Sequence, residues 1–547
     1  MRHVVILLFC FGSTFLFSFS AIAQANEGEI ENQQIIVEKN KKIELPEAQR
    51  GFEKIVIEKK TVDVSKQNYS YNDYHLPLPL MDAKLKILTV KEEPLPKLYA
   101  NYIKAGIGNY ATSYLEAFLY NKRSEKLAYG LNLRHFASAR GPLKRSGLSD
   151  NHILLYGKYL LSKASIDSDL GYFRTARHFY GYNQDLEFKK DTLKQRFNNI
   201  VWNIGIKSND SSASFKYQGN IEISNLNDAY KAKETEALIR YKTLMKLDEN
   251  SYMGVRGLIS ISSRSDSTKY VRNLVSLQPY YQRTLDKLIL TGGLNFGFEN
   301  DTLFSKKNFH LYPALKGEYK IIENIIHVFG GLDGNMERNT LRSTLKENPW
   351  LTNRVALAHS NKLVELFIGT KGTLLKKVTY QLQGSYLSYK NLPFMVNNGQ
   401  DSLRFALVYD SNNVKITRLK AEASYSLDTK MLAGVSFTYN GYNMGTLKQA
   451  WHMPKMQANY YLTYFLKDKM VFHLSSYMFA GIKAVDPSGK EIVLPTILDL
   501  NVKVDYLFSR NFSAFLELNN LLANKYERYL YYKQKGINLL LGATCSF

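Results

Sequence analysis

The last fifty residues alternate, and that alternation constrains the chain more than any other feature. From Leu498 the even positions are Leu498, Leu500, Val502, Val504, Tyr506 and Phe508, with Asp499, Asn501, Lys503 and Asp505 between them. After Ser509-Arg510-Asn511, Phe512, Ala514, Leu516 and Leu518 alternate with Ser513, Phe515, Glu517 and Asn519. The final run puts Ile537, Leu539, Leu541, Ala543, Cys545 and Phe547 on one face and Asn538, Leu540, Gly542, Thr544 and Ser546 on the other. A period of two marks strands with one apolar face. A soluble sandwich alternates too, but Gly542, Cys545 and Phe547 have the Gly-x-x-apolar-x-aromatic spacing of a terminal outer-membrane strand. The apolar face then meets lipid and the polar face a lumen. These three residues are the expected assembly signal, read by the barrel-insertion machinery.

The other end of the chain reads as an export signal. Arg2 precedes an apolar core, Val4 to Phe19, and Ala21-Ile22-Ala23 is a small-x-small cleavage site, so Gln24 is expected to begin the mature chain. No later run of apolar residues is long enough for a membrane-spanning helix. Cys545 is the one cysteine of the mature chain, so no internal disulfide can form. No cysteine pair or His-x-x-x-His pair offers a zinc site, and no metal or other cofactor is expected.

Composition fits a barrel. Tyr is abundant at 39 residues while Pro is scarce at 13, and Tyr suits the girdles where a barrel meets headgroups. The net charge of +23 raises the question of nucleic acid. No basic helix or RNA-binding signature accompanies it, and the cations are scattered over strands and turns, so no nucleic acid is expected. A basic barrel fits outer-membrane lipid, lipopolysaccharide phosphates or an acidic solute better.

Residues 24–97 form a polar arm with Pro77, Pro79, Pro94 and Pro96 near its end, expected to be mostly extended and periplasmic. From Leu98 to Phe547, 450 residues, alternating segments follow one another steadily. At about 20 residues per strand and connection this predicts an all-β, transmembrane antiparallel barrel of about 22 strands, within a range of about 20–24. Counting segments gives one too many, and the uncertain zone is 402–426, where Asp410 to Asn413 is either a tight turn or a bulge in one long strand. Short turns at Leu427 to Lys430, Leu466 to Lys469 and Ser509 to Asn511 are expected to be periplasmic. Longer connections at 140–150, 179–193, 338–361, 389–401, 443–454, 481–496 and 524–536 are expected to be extracellular and to meet a ligand first.

The segment Leu518-Asn519-Asn520-Leu521-Leu522-Ala523-Asn524-Lys525-Tyr526-Glu527, with Gly536 and the closing Gly542 to Phe547, resembles the end of a TonB-dependent receptor barrel. The Lys/Asn/Tyr-rich style, with Gln24 after the cleavage site, is similar to barrels of Bacteroidota. The resemblance implies an outer-membrane receptor or transporter that binds or passes a solute. That family carries a plug inside the barrel, and the 74 residues 24–97 show no plug-like pattern, so a barrel without a full plug is expected. Ile35-Ile36-Val37 lies where a TonB-binding strand would be, and TonB or another periplasmic protein is the implied partner of the arm. The competing reading is a non-transporting barrel that scaffolds an envelope assembly through the arm.

No Gly-x-x-x-x-Gly-Lys-Ser/Thr loop, His-Glu-x-x-His or Gly-x-Ser-x-Gly occurs, and an enzyme is not expected. Asp167 and Asp169 share a face and read as luminal carboxylates. Gly292, Gly293 and Gly297 read as close packing or barrel curvature within a strand. Arg174, Arg177 and His178 among Tyr172, Phe173 and Tyr180 are either a contact for an anionic ligand or a headgroup girdle, and the girdle is the plainer reading. Tyr529, Tyr531 and Tyr532 beside Lys533 and Lys535 have the same two readings. Ligand-binding candidates are therefore Arg174, Arg177 and Tyr531. Long loops folded inward, such as 338–361, are expected to narrow a lumen this wide.

Overall fold

The computed structural model describes residues 99–547 apart from 122–123, 125, 183, 186–192, 211, 267–268, 302, 304–307, 428–429 and 468. The export signal with Ala23 and Gln24, the arm and Ile35-Ile36-Val37 lie outside the described residues.

A closed antiparallel sheet of 22 strands runs from Asn101–Gly108 to Asn538–Ser546. The first strand pairs with Thr112–Tyr120 on one side and with the last strand on the other, Ala105 opposite Ala543. Closure removes every free edge, so backbone N–H and C=O groups of the wall pair from strand to strand, apart from register breaks such as those at Lys320/Ile322 and Asp333/Asn335, which is what a lipid environment demands. At the seam Phe547 N donates to Asn101 O at 3.0 Å. Gly542 sits where any side chain would collide: a Cβ there would lie 2.0 Å from Ala105 O and 2.5 Å from the Phe515 ring. The expected close packing also holds at Gly293, where a Cβ would lie 2.6 Å from Pro279 O.

Alternation sets which side chain faces where. Ile221, Ile223, Leu419, Leu541 and Phe547 are exposed on the outer face, while Glu236, Leu238, Ile416 and Leu540 one position away in phase are buried inside. No helix among the described residues is long and apolar enough to cross a membrane.

One end of the barrel carries only short turns, such as 286–287, 323–325, 375–377 and 508–511. The other end carries the long connections 179–193, 338–359, 391–413, 444–455, 481–496 and 520–537. The region 402–426 resolves into two elements. Val414–Leu427 is a wall strand, whereas Phe405–Tyr409 pairs with Pro393–Asn397 as a hairpin outside the wall. The Asp410 to Asn413 turn is real, and the connection expected at 389–401 extends over 391–413. Alternation marked Phe405–Tyr409 as a strand correctly. It could not tell a strand covered by loops from one covered by lipid.

Candidate functional site: a mouth closed by loops

The long connections share a hydrophobic core across the barrel mouth. Phe179, Leu341, Trp350, Leu351, Phe405, Leu407, Tyr529 and Tyr532 are buried there together, although they come from four loops. The Trp350 and Tyr532 rings stack at 3.9 Å, and Tyr180 meets Tyr532 edge-on at 5.0 Å. Phe405 lies 5.4 Å from Tyr529, and His452 lies 5.3 Å from Phe405. Burial of so much aromatic surface is the main stabilising term of the cap.

Polar bonds tie these loops together where the rings cannot. Trp350 Nε1 donates to His178 O at 2.9 Å, Tyr180 Oη to Lys533 O at 3.1 Å and Tyr529 Oη to Glu347 O at 3.0 Å. Arg528 donates to His452 O at 2.7 Å, and the Arg404 guanidinium covers the rings of Phe179 and Tyr230 at 4.4 and 4.3 Å.

The loop 338–359 reaches the inner wall. Its helix, Leu341–Glu347, starts on a capping box between Thr340 and Ser343. The Glu234 carboxylate, buried in the wall strand Lys233–Lys246, accepts from Leu341 N at 2.8 Å and Arg342 N at 2.9 Å. Arg342 then bonds Glu222 and lies 3.7 Å from Glu236, which also holds Arg338. Glu222 precedes the end of its strand at Asp228 by six residues. At about 3.3 Å per residue that places it roughly 20 Å down the strand from the rim. The helix therefore enters the lumen, as expected for this loop. Arg272 anchors the same loop, with Nη2 3.0 Å from Asp301 and Nη1 donating to Asn339 O at 2.9 Å.

Below the cap the wall is wet. Inward-facing Lys242, Arg256, Gln381, Lys420 and Glu422 are exposed, in contrast to Glu236, Ser260 and Leu387 above them. The loops thus pack against one another at the long-loop end, above a wall whose inward polar side chains are exposed.

Burial tunes the loop groups. It lowers the His452 pKa to about 4 and the His359 pKa to about 3, so both imidazoles are neutral near pH 7. It raises the Glu347 carboxyl above its usual value. Burial, with the nearby charge of Arg177, also lowers the Lys535 amine to about 8.

The three ligand candidates separate. Arg177 faces inward and forks onto Asp150 at 2.9 and 2.8 Å. Tyr531 belongs to the cap: its N–H donates to Glu527 at 2.7 Å, and a Cβ on Gly181 would lie 3.0 Å from Tyr531 Cβ. Arg174 shares the phase of exposed Leu170 and Tyr172 and faces outward, away from both. Tyr529 and Tyr532 are not girdle residues as first read; they are 3% and 0% exposed in the cap core. Asp169 accepts from Asn203 at 2.8 Å and is a luminal carboxylate as read. No cluster of metal-binding side chains occurs among the described residues. Sequence reading missed the cap's core and the wall carboxylates Glu222, Glu234 and Glu236. The Thr340-x-x-Ser343 capping pattern was the one local signal of an ordered loop.

No known family profile matches the chain, and no curated protein does. Solved structures do. The FrpB iron transporter of Neisseria meningitidis (F3-3 variant) superposes with TM-score 0.64 at 10% identity, over 83% of this chain and 82% of that one. The siderophore receptor PirA of Pseudomonas aeruginosa gives 0.57 at 13%, over 82% and 80%. The closed form of the ferric-catecholate import receptor Fiu from E. coli K12 gives 0.61 at 10%, over 83% and 82%. At such identities the likeness is one of architecture, and it matches the barrel that the terminal alternation implied. The chain is a closed 22-strand barrel whose fold is that of the FrpB iron transporter, the siderophore receptor PirA and the ferric-catecholate import receptor Fiu.

Proposed function

We propose that this protein is an outer-membrane receptor or transporter-like barrel in which a core of extracellular loops, rather than a full plug, closes the lumen. The observation that carries the reading is the buried aromatic core spanning several loops, with the helix Leu341–Glu347 held inside the wall. A solute would be met at the long-loop end and would pass when the loops part. Iron or a ferric siderophore, the cargo after which these similar structures are named, is the first class to try. On this reading the chain is exported by a signal cleaved between Ala23 and Gln24, and is inserted through the terminal strand with Gly542, Cys545 and Phe547. It then engages TonB or another periplasmic protein through the arm. The chemistry is transport and not catalysis.

Uptake tests it. Cells lacking the protein, complemented with wild type or with Trp350→Ala, are given labelled ferric siderophores under iron limitation. Uptake that needs the protein and changes with the cap variant supports the reading. Equal uptake with and without the protein, across catecholate and hydroxamate chelates, removes iron as the cargo class.

A further inference from the structure

Two recesses lie one above the other on the same stretch of wall, and their chemistry is complementary. At the long-loop rim a cavity of about 480 Å³ is lined by Lys390, Lys415, Ser411, Asn412, Asn413 and Asn443. Lys415 pairs directly with Asn443, and Lys390 lies diagonally across the neighbouring strand, where Ser388 is the partner of Lys415. Both lysines are exposed. The turn bearing Asn412 and Asn413 is held by Asp410. Its carboxylate accepts from the N–H groups of Asn412, Gly445, Thr446 and Leu447 at 2.9–3.0 Å. That carboxylate faces the N–H groups of the turn, and among the described residues neither Lys390 nor Lys415 forms an ion pair with it or with any other carboxylate.

Beneath it, on the outer face, is an apolar groove of about 450 Å³. Its form follows from register. One row across three strands reads Ile368, Gly384, Leu419, and the next reads Leu382, Ala421, Phe437. Small residues in the middle of each row leave a trough between large ones. A Cβ on Gly384 would meet only Leu419, at 3.6 Å, so the space there is open. Ile368 is 67% exposed, Leu419 52% and Leu382 48%, as lipid-facing side chains are. Lys415 and Leu419 are four residues apart on one strand. That is roughly 13 Å, about the separation of a headgroup from the first half of its acyl chain.

We propose that these two recesses form one binding site for a phosphorylated glycolipid of the outer leaflet. The Lys390 and Lys415 ammonium groups take the phosphate as charge-assisted donors. Asn412, Asn413, Asn443 and Ser411 can both donate to and accept from sugar hydroxyls. The trough at Gly384 and Ala421 takes an acyl chain. The proposal rests on the reading that the long-loop end faces outward. Labelling a Lys415→Cys variant in intact cells tests that orientation separately from lipid binding.

The full chain in detergent, assayed by native mass spectrometry, decides. The probes are bisphosphorylated lipid A, the same lipid without phosphates, phosphatidylglycerol and inorganic phosphate. Wild type should hold one bisphosphorylated lipid A at least tenfold more tightly than the dephosphorylated lipid or phosphatidylglycerol. The double variant Lys390→Glu/Lys415→Glu and the groove-filling Gly384→Phe should each lose tenfold or more while keeping heat-modifiable mobility. Equal binding of the two lipid A forms by wild type overturns the proposal even if a variant fails to fold. So does displacement by millimolar phosphate, which would mark a free-anion site, or equal binding of phosphatidylglycerol, which would remove the sugar.

Discussion

Trp350→Ala should open the cap without weakening the wall. Trp350 is 7% exposed, stacks on Tyr532 at 3.9 Å and contacts Tyr180 and Tyr529 edge-on at 5.9 and 6.1 Å. Truncating a buried Trp to Ala costs about 3–5 kcal/mol in transfer and cavity terms. The His178 carbonyl also loses the indole donor at 2.9 Å. Trp350 lies in a loop and hydrogen-bonds the wall only through the His178 carbonyl at the last residue of its strand, so the loss falls on the closed arrangement of the loops. At about 1.4 kcal/mol per decade, the closed-to-open ratio should fall by roughly two to three and a half decades. Single-channel recording in planar bilayers reads this directly as open probability, and heat-modifiable mobility reads barrel integrity. A variant with an intact barrel and wild-type open probability would refute the reasoning, because the aromatic core would then not hold the mouth shut.

Other perturbations act on different parts. Acid should loosen the cap: His452 and His359 are depressed to about 4 and 3 when buried, so below their reference value of 6.5 the opened loops take up protons that the closed loops resist. The closed state keeps its full stability above about pH 6.5 and loses about 2 kcal/mol per histidine by pH 5. Glu347, raised by burial, works in the opposite sense. The informative comparison is therefore channel opening at pH 7.5 and 5 in wild type and His452→Asn, and an identical pH response in the two would count against His452. Gly542→Val should cut outer-membrane insertion at least tenfold, since its Cβ would lie 2.0 Å from Ala105 O; normal levels of heat-modifiable protein would contradict the packing at the seam. Cysteine placed in 481–496 should label from outside intact cells and cysteine at Arg510 should not, with reversed labelling inverting the barrel.

The wall was legible because lipid on one side and lumen on the other impose a period of two, which survives strand by strand without knowledge of pairing. The terminal run Asn538–Ser546 could be assigned face by face. The cap was not legible. Trp350 and Tyr532 stack although 182 residues separate them, and no local pattern records that meeting. Tyr529 and Tyr532 looked like girdle residues because an aromatic at the edge of a barrel is the same letter whether it meets headgroups or other loops. Arg174 and Arg177 are three positions apart, so in a strand they fall on opposite faces, and that arithmetic alone could have divided them. Glu222, Glu234 and Glu236 went unread because their partner helix comes from a loop more than a hundred residues away.

The central claim is that loops, not the arm, close the lumen. The most direct measurement is single-channel conductance of two deletions set beside wild type: residues 341–357 replaced by a short Gly-Ser linker, and residues 24–94 removed with the signal kept. The account predicts a large rise in conductance and in antibiotic sensitivity for the loop deletion, and little change in either for the arm deletion. A large jump on removing the arm, with the loop deletion still closed, would contradict it.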